Sequence, residues 1–328
     1  MPLLSEQETM VADSVAGVLR ELGGLARVRG LLAGTDGRGL LARAAENGWT
    51  GLLVPEASGG AGMDLRDALV AMRAAGAALP PEPLACAMLT AALLPGLSGH
   101  DAVLESALAG QSVVLAMPAR RQGERLVGGL VPGLDLAHRI CLIDQDDRLE
   151  LVGRDDGRLV IQTHATRDGG SIGRAVLSRP SGGNALGAGA RASFQRQLKL
   201  LQAAEMVGLG QEAASRARAH ISTRRQFGRP LAAFQALQHR AATVFVQLSA
   251  ADAMVFEAAR GIDGPAPDLA VDTALAQAER AAMLSCKEAV QFFGAMGMAE
   301  ECDIGLFLRR CMAISAAHRG ETVELTGA

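Results

Sequence analysis

Three arginines, a glutamine and a phenylalanine fall within six residues at Arg224-Arg225-Gln226-Phe227-Gly228-Arg229. Pro230-Leu231, Phe234-Gln235 and Gln238-His239 follow closely. A guanidinium presents fixed, paired N–H donors that match phosphate oxygens two at a time, which an ammonium cannot do. The segment closes one long helical pattern and opens another, so paired guanidiniums at a turn lead into a stripe of amides. Gln235, Gln238 and His239 stand at i, i+3 and i+4 and share one helix face, opposite the apolar stripe. That combination suits an extended, doubly charged ligand such as a dinucleotide pyrophosphate. The competing reading makes Arg224 a cation at a helix C-terminus, worth roughly 0.3–1 kcal/mol through the helix dipole. Arg225 reads as its solvated neighbour, and without a ligand the amide stripe is a solvated face.

Other candidate chemistry is sparse. Cys86, Cys141, Cys286, Cys302 and Cys311 are scattered with no C-x-x-C pair. They read as reduced, mostly buried thiols of a cytoplasmic protein, without metal-ligand spacing. The cluster Ser58-Gly59-Gly60-Ala61-Gly62 lacks the strand and the Lys-Ser/Thr frame of a P-loop and reads as a plain loop. A formal net charge of −3 gives no support to nucleic-acid or anionic-membrane binding. The start, Met1 to Glu8, has neither the basic residues nor the apolar core of a signal peptide. The longest nearly apolar run, Leu84 to Leu97, is shorter than the about 20 residues that span a bilayer, so no membrane insertion is expected.

The elements that must position the arginines come in three zones. At 328 residues, 49% hydrophobic and 20% charged, the chain can bury substantial cores. One Trp, eight Phe and no Tyr leave those cores to Ala, Leu, Val and Met. Residues 1–110 read as a helical domain. Ser5 with Gln7 and Glu8 caps a first helix, whose face of Val11, Val15, Val18, Leu19 and Leu22 stops at Gly23-Gly24. Further helices are expected at about 40–47 and 65–78. Residues 111–190 form a small middle β domain with strands at about 112–117, 139–143, 149–152, 159–163 and 175–177, expected as an antiparallel sheet or partial barrel. A Gly/Ser/Ala-rich linker, 181–190, leads out of it. Residues 191–328 read as a four-helix bundle with helices at about 193–223, 231–260, 270–294 and 303–317. In its second helix, Phe234, Leu237, Ala241, Val244, Phe245, Leu248 and Val255 mark the stripe expected to be buried. The fold class is therefore α+β, mostly α.

Against that order the motifs gain weight. Arg224-Arg225-Gln226-Phe227-Gly228 and Phe234-Gln235-Ala236-Leu237-Gln238-His239 resemble the R-x-Q-F-G and F-Q-A-x-Q-H signatures of the acyl-CoA dehydrogenases. Glu46 to Gly62, Ala78 to Pro83, Ala203 to Gly210 and Gln291 to Gly297 resemble other family segments in the same order, over nearly the whole chain. The resemblance implies the acyl-CoA dehydrogenase fold and α,β-dehydrogenation of an acyl-CoA thioester, with FAD taking the β-hydrogen while a carboxylate base removes the α-proton. It makes Arg224 the residue that reaches a flavin pyrophosphate across a subunit interface. Gln226, Phe227 and Gln235 become further cofactor contacts. Gln291 and Gly294 would approach a partner's flavin, glycine because the backbone must come close. Ala295 replaces the second glycine of that motif.

Three departures qualify the resemblance. No T-E-P-x-x-G-S-D-like segment, which in the family covers the flavin and binds substrate, occurs between Val113 and Arg179; Ala116-Met117-Pro118-Ala119-Arg120-Arg121 keeps only the proline. The family's glutamate base has no counterpart, since the region reads Ala317-His318-Arg319-Gly320-Glu321-Thr322. His318 and a displaced Glu321 are the remaining candidates, and a histidine so near the end reads first as a surface residue. The alternative family position, near Leu198-Lys199, offers no acid, and Glu205 lies about two helical turns beyond it. The tail is also short. Three readings follow: a base-deficient subunit of a heteromeric enzyme paired with a paralogous acyl-CoA dehydrogenase, a self-sufficient homo-oligomer with an unusual base, or a helical structural protein without flavin. An electron-accepting flavoprotein would be a further partner of either enzyme.

Overall fold

The structure, a computed structural model, describes residues 4–36 and 38–326, with side chains described up to residue 318 except at residue 38. Six helices come first: α1 Glu6–Glu21, α2 Leu25–Leu32, α3 Arg38–Glu46, α4 Leu65–Gly76, α5 Leu84–Leu93 and α6 Asp101–Leu108. Eight strands follow: β1 Val114–Gln122, β2 Arg125–Gly128, β3 Val131–Pro132, β4 Arg139–Ile143, β5 Arg148–Gly153, β6 Leu159–Ala165, β7 Ser171–Ser178 and β8 Asn184–Ala185. Then come α7 Ala190–Thr223, the hairpin strands β9 Arg225–Gln226 and β10 Arg229–Pro230, α8 Gln235–Arg260, α9 Pro267–Phe293 and α10 Ile304–Thr326. Ser5 caps α1 through a full capping box with Glu8.

The chain forms two compact units, each drawn from separate stretches of sequence. One unit joins Met1–Arg27, Leu69–Leu79 and Lys199–Ser315, and so holds most of the long helices. Its core is built from small residues: Ala203, Ala204, Val207, Ala274, Ala278, Ala281 and Ala282 are almost fully buried. Small residues let helices approach closely. A Cβ on Gly208 of α7 would lie 1.8 Å from the Arg73 carbonyl of α4, and one on Gly76 would lie 2.2 Å from the Glu205 carbonyl. Arg73 and Asp252 form a buried ion pair at 3.0 Å that ties α4 to α8. Helix α8 is long and apolar enough to cross a membrane by length and composition, yet Val244, Leu248, Ala251 and Val255 are buried within this unit.

The other unit joins Val28–Ala68, Pro80–Leu198 and Ala316–Ala328. Its strands run in the order β3-β7-β2-β1-β4-β5-β8, with β6 on β7. Every pairing is antiparallel except β1 with β4, which run parallel with Leu115 opposite Ile140. The sheet is therefore mixed and larger than the expected small antiparallel one. Asp147, in the β4–β5 turn, accepts hydrogen bonds from the backbone N–H of Gly189 and Arg191 at 2.7 and 2.8 Å, capping the start of α7. The presumed linker 181–190 also contributes β8 to the sheet.

Three further expectations change. Helix α10 does not stop at 317 but runs to Thr326. Phe245, assigned to the buried stripe of α8, is 68% exposed. Helices α2, α5 and α6 were not marked by periodicity; α5 has Leu84 to Ala91 all buried, so no polar face exists to reveal its period.

Candidate functional site

The arginine motif folds as a tight hairpin. Arg229 pairs with Gln226 and Pro230 with Arg225, leaving Phe227 and Gly228 as a two-residue loop. Both have positive φ, 52° and 78°, the pattern of a type I′ turn. Glycine adopts this freely, whereas a left-handed phenylalanine costs on the order of 1–2 kcal/mol. Phe227 is nevertheless 87% exposed, its ring edge-on to Phe234 with centroids 6.1 Å apart.

The cations around this turn divide by role. Arg229 lies over the Phe234 ring at 4.0 Å. Arg225 donates to the Gly228 carbonyl at 3.3 Å and so braces the loop, rather than being merely solvated. Arg224 is exposed, and its guanidinium has no hydrogen-bond or ion-pair partner among the described residues. Helix α8 then begins at Gln235 with Phe234 as its N-cap and no side-chain cap, leaving backbone N–H groups at that end open. Gln235, Gln238 and His239 are all exposed, as their spacing implies. Gln238 is bound to the Ala232 carbonyl at 2.9 Å. The amides of Gln226, Gln235 and Gln291 have no hydrogen-bond partner among the described residues.

The second motif joins the first through a contact the sequence did not flag. His220, one helical turn before Arg224, stacks on Phe293 with ring centroids 4.1 Å apart and planes 14° from parallel. The next residue, Gly294, ends α9 at φ 65° and ψ −144°, a backbone state reserved for glycine. A Cβ there would meet nothing within 4 Å of this chain, so within the chain its glycine is required by conformation. Gly297 is packed closely within the chain, where a Cβ would lie 2.5 Å from the Val290 carbonyl. Gln291 sits exposed on the last turn of α9. The stack thus links the Arg224 turn to the Gln291–Gly294 turn within one unit. A spacing of four between His220 and Arg224 was the available signal, but no pattern marks Phe293 as its partner.

Strand β1 has a different character. Residues 114–119 are buried, and Pro118 does not begin a loop: the strand runs through it into a hairpin in which Ala119 pairs with Gly128 and Gln122 with Arg125. One backbone edge of Ala116 is taken by α5. Its N–H donates to Thr90 Oγ1 at 2.8 Å, and its carbonyl accepts from Cys86 Sγ at 3.2 Å. Helix α5 therefore lies along the strand that holds Ala116-Met117-Pro118, the local sequence nearest to the family's flavin-covering motif.

No candidate base stands free among the described residues. Glu205, 3% exposed, accepts from Arg310 Nε and Nη2 at 2.9 and 2.6 Å, a buried pair on α7 and α10. Removing one partner would strand the other's charge, at a cost of about 3–5 kcal/mol, so Glu205 is held by structure rather than poised for proton transfer. Lys199 is paired with Asp272 at 2.7 Å. His318 lies on α10 and is buried, not a surface residue. The Glu321 side chain falls outside the described residues, though its backbone continues α10 rather than forming a loop. Cys86, Cys141, Cys286 and Cys311 are buried and in no disulfide, and burial pushes the Cys141 thiol far above the usual range. No metal-binding cluster occurs among the described residues.

Comparison with known proteins gives a consistent picture. The family model for the N-terminal domain of acyl-CoA dehydrogenases matches residues 5–100, and that for the C-terminal domain matches residues 193–320. Acyl-CoA dehydrogenase IpdE2 of Mycobacterium tuberculosis is 28% identical over 308 residues, covering 93% of this chain and 91% of the relative. Among solved structures, a Tcur3481–Tcur3483 steroid ACAD variant superposes with a TM-score of 0.85 at 21% identity, over 98% of this chain and 96% of that one. The ChsE4–ChsE5 complex of Mycobacterium tuberculosis gives 0.85 at 20% identity, over 99% and 97%.

Proposed function

The chain belongs to the acyl-CoA dehydrogenase family, and from that premise we propose that it is the base-deficient subunit of a heteromeric enzyme. In this reading it supplies the Arg224 hairpin and the Gln291–Gly294 turn to the dinucleotide half of an FAD site. A paralogous acyl-CoA dehydrogenase subunit supplies the flavin cover and the glutamate base. FAD would act as hydride acceptor in α,β-dehydrogenation of an acyl-CoA thioester. The contribution of this chain is binding and alignment.

The observation that carries the reading is a contrast between the two units. In one, Arg224 and the amides of Gln226 and Gln235 are exposed and unengaged near the uncapped start of α8, a donor set that fits a pyrophosphate and the groups around it. In the other, no segment matches the family's flavin-covering motif, and the nearest local sequence, Ala116 to Arg121, has its Ala116 backbone taken by Thr90 and Cys86 and runs on into a hairpin. The paired names of two structural neighbours, Tcur3481–Tcur3483 and ChsE4–ChsE5, favour a two-chain assembly. The first of these also makes a steroid-derived acyl thioester a reasonable substrate class to assay beside fatty acyl-CoAs.

Co-expression with a glutamate-bearing paralogue should yield a stable complex recovered through a tag on either chain. An assembly that contains only this chain, whatever paralogue is present, would overturn the heteromeric reading.

A further inference from the structure

We propose that His220 is a positioning residue for the dinucleotide grip, its ring stacked on Phe293 so that the Arg224 turn and the Gly294 turn are held as one edge. This rests on the reading of those turns as cofactor-binding.

Local geometry supports it from both sides of the stack. The Arg224 backbone N–H donates to the His220 carbonyl at 2.9 Å, so the first residue beyond α7 is tied to the turn that carries the imidazole. On α9, Phe293 directly precedes Gly294, whose N–H donates to the Gln291 carbonyl, and the whole turn pivots on the ring that His220 covers. The neighbouring ring is fixed too: Arg240 lies 5.5 Å from the centre of Phe292 and is held by Glu288 at 2.6 Å. Desolvation, then the charge of Arg224, lowers the His220 pKa, which favours a neutral ring that does not compete with Arg224 for an anion. Neither His220 nor Phe293 belongs to the fully buried core of its unit. A contact at the rim of so large an alanine-rich core adds little to global stability, but it sets how two otherwise exposed turns meet.

Preorganising two turns saves the ordering cost at binding, so loss of the stack should weaken the ligand roughly 3- to 10-fold. The test uses the complex with the paralogue, stripped of flavin, and reads dissociation constants for FAD and for ADP by titration calorimetry. His220→Ala should weaken both by that factor while thermal unfolding of the complex stays nearly unchanged. His220→Phe, which keeps a stackable ring, should bind within about twofold of wild type. His220→Ala added to Arg224→Ala should cost much less than it does alone, because the two act on one contact. Unchanged ADP and FAD affinity in His220→Ala, or His220→Phe as weak as His220→Ala, would overturn the proposal. If Arg224→Ala also binds normally, the cofactor reading of the turn has failed; if only His220→Ala does, the brace alone has failed.

Discussion

Purified alone, the chain is expected to show no measurable acyl-CoA dehydrogenation, and co-expression with a glutamate-bearing paralogue is expected to restore it at one functional site per pair. The physical demand on the base is strict, since it must come within about 2.6–3.2 Å of its partner atom in a productive pose. Among the described residues, no acid at the family's positions meets that demand. Glu205 is locked to Arg310 in the bundle, and the site near Leu198 offers Lys199, itself paired with Asp272. A missing general base alone removes about 10²- to 10⁴-fold in rate. Steady-state assays with fatty and steroid-derived acyl-CoAs and a dye acceptor measure it. Robust turnover by the pure homo-oligomer would contradict the account, and loss of that turnover in Glu321→Gln would then identify Glu321 as the base.

Arg224→Ala is expected to weaken flavin retention by the complex while leaving the fold intact. Arg224 is the cation of the hairpin without an internal partner, so nothing in the described structure loses a contact when it is removed. One charge-assisted contact to phosphate contributes roughly 1.5–3 kcal/mol, or about 10- to 150-fold in affinity. Arg225→Ala should cost much less, because its bond to the Gly228 carbonyl braces a turn already set by the pairing of Gln226 with Arg229. Flavin titration of the two variants, with circular dichroism as the folding control, separates the roles. Equal losses in both, or full flavin content in the Arg224 variant, would count against the assignment.

The order of elements was legible in the sequence because the long bundle helices carry caps, breakers and an apolar stripe. Gly23-Gly24 follows the end of α1, and α7 ends at Thr223, where the sequence pattern stops. What failed did so for identifiable reasons. Helix α5 is buried all round, so periodicity had no polar face to work with. The strand expected to stop at Met117 runs on through Pro118 to Gln122, because the residues beyond it pair with β2. Phe245 follows the helical stripe in sequence but remains exposed, since a stripe does not say which part of it another element covers.

The candidate site was legible to a lesser degree. Residue types and the four-residue spacing exposed Arg224, Gln235 and His239. The parts that unite or exclude chemistry are tertiary pairings between residues far apart in sequence: His220 with Phe293, Thr90 and Cys86 with Ala116, and Glu205 with Arg310. No local pattern encodes such pairings.

The central claim is that this chain supplies part of an FAD site and cannot complete one alone. FAD released on denaturation, counted against each polypeptide, tests it most directly. A colourless protein is expected when the chain is purified by itself, and one FAD per pair of chains in the complex with the paralogue. One FAD per chain in the isolated protein, or no FAD in the complex, would contradict it.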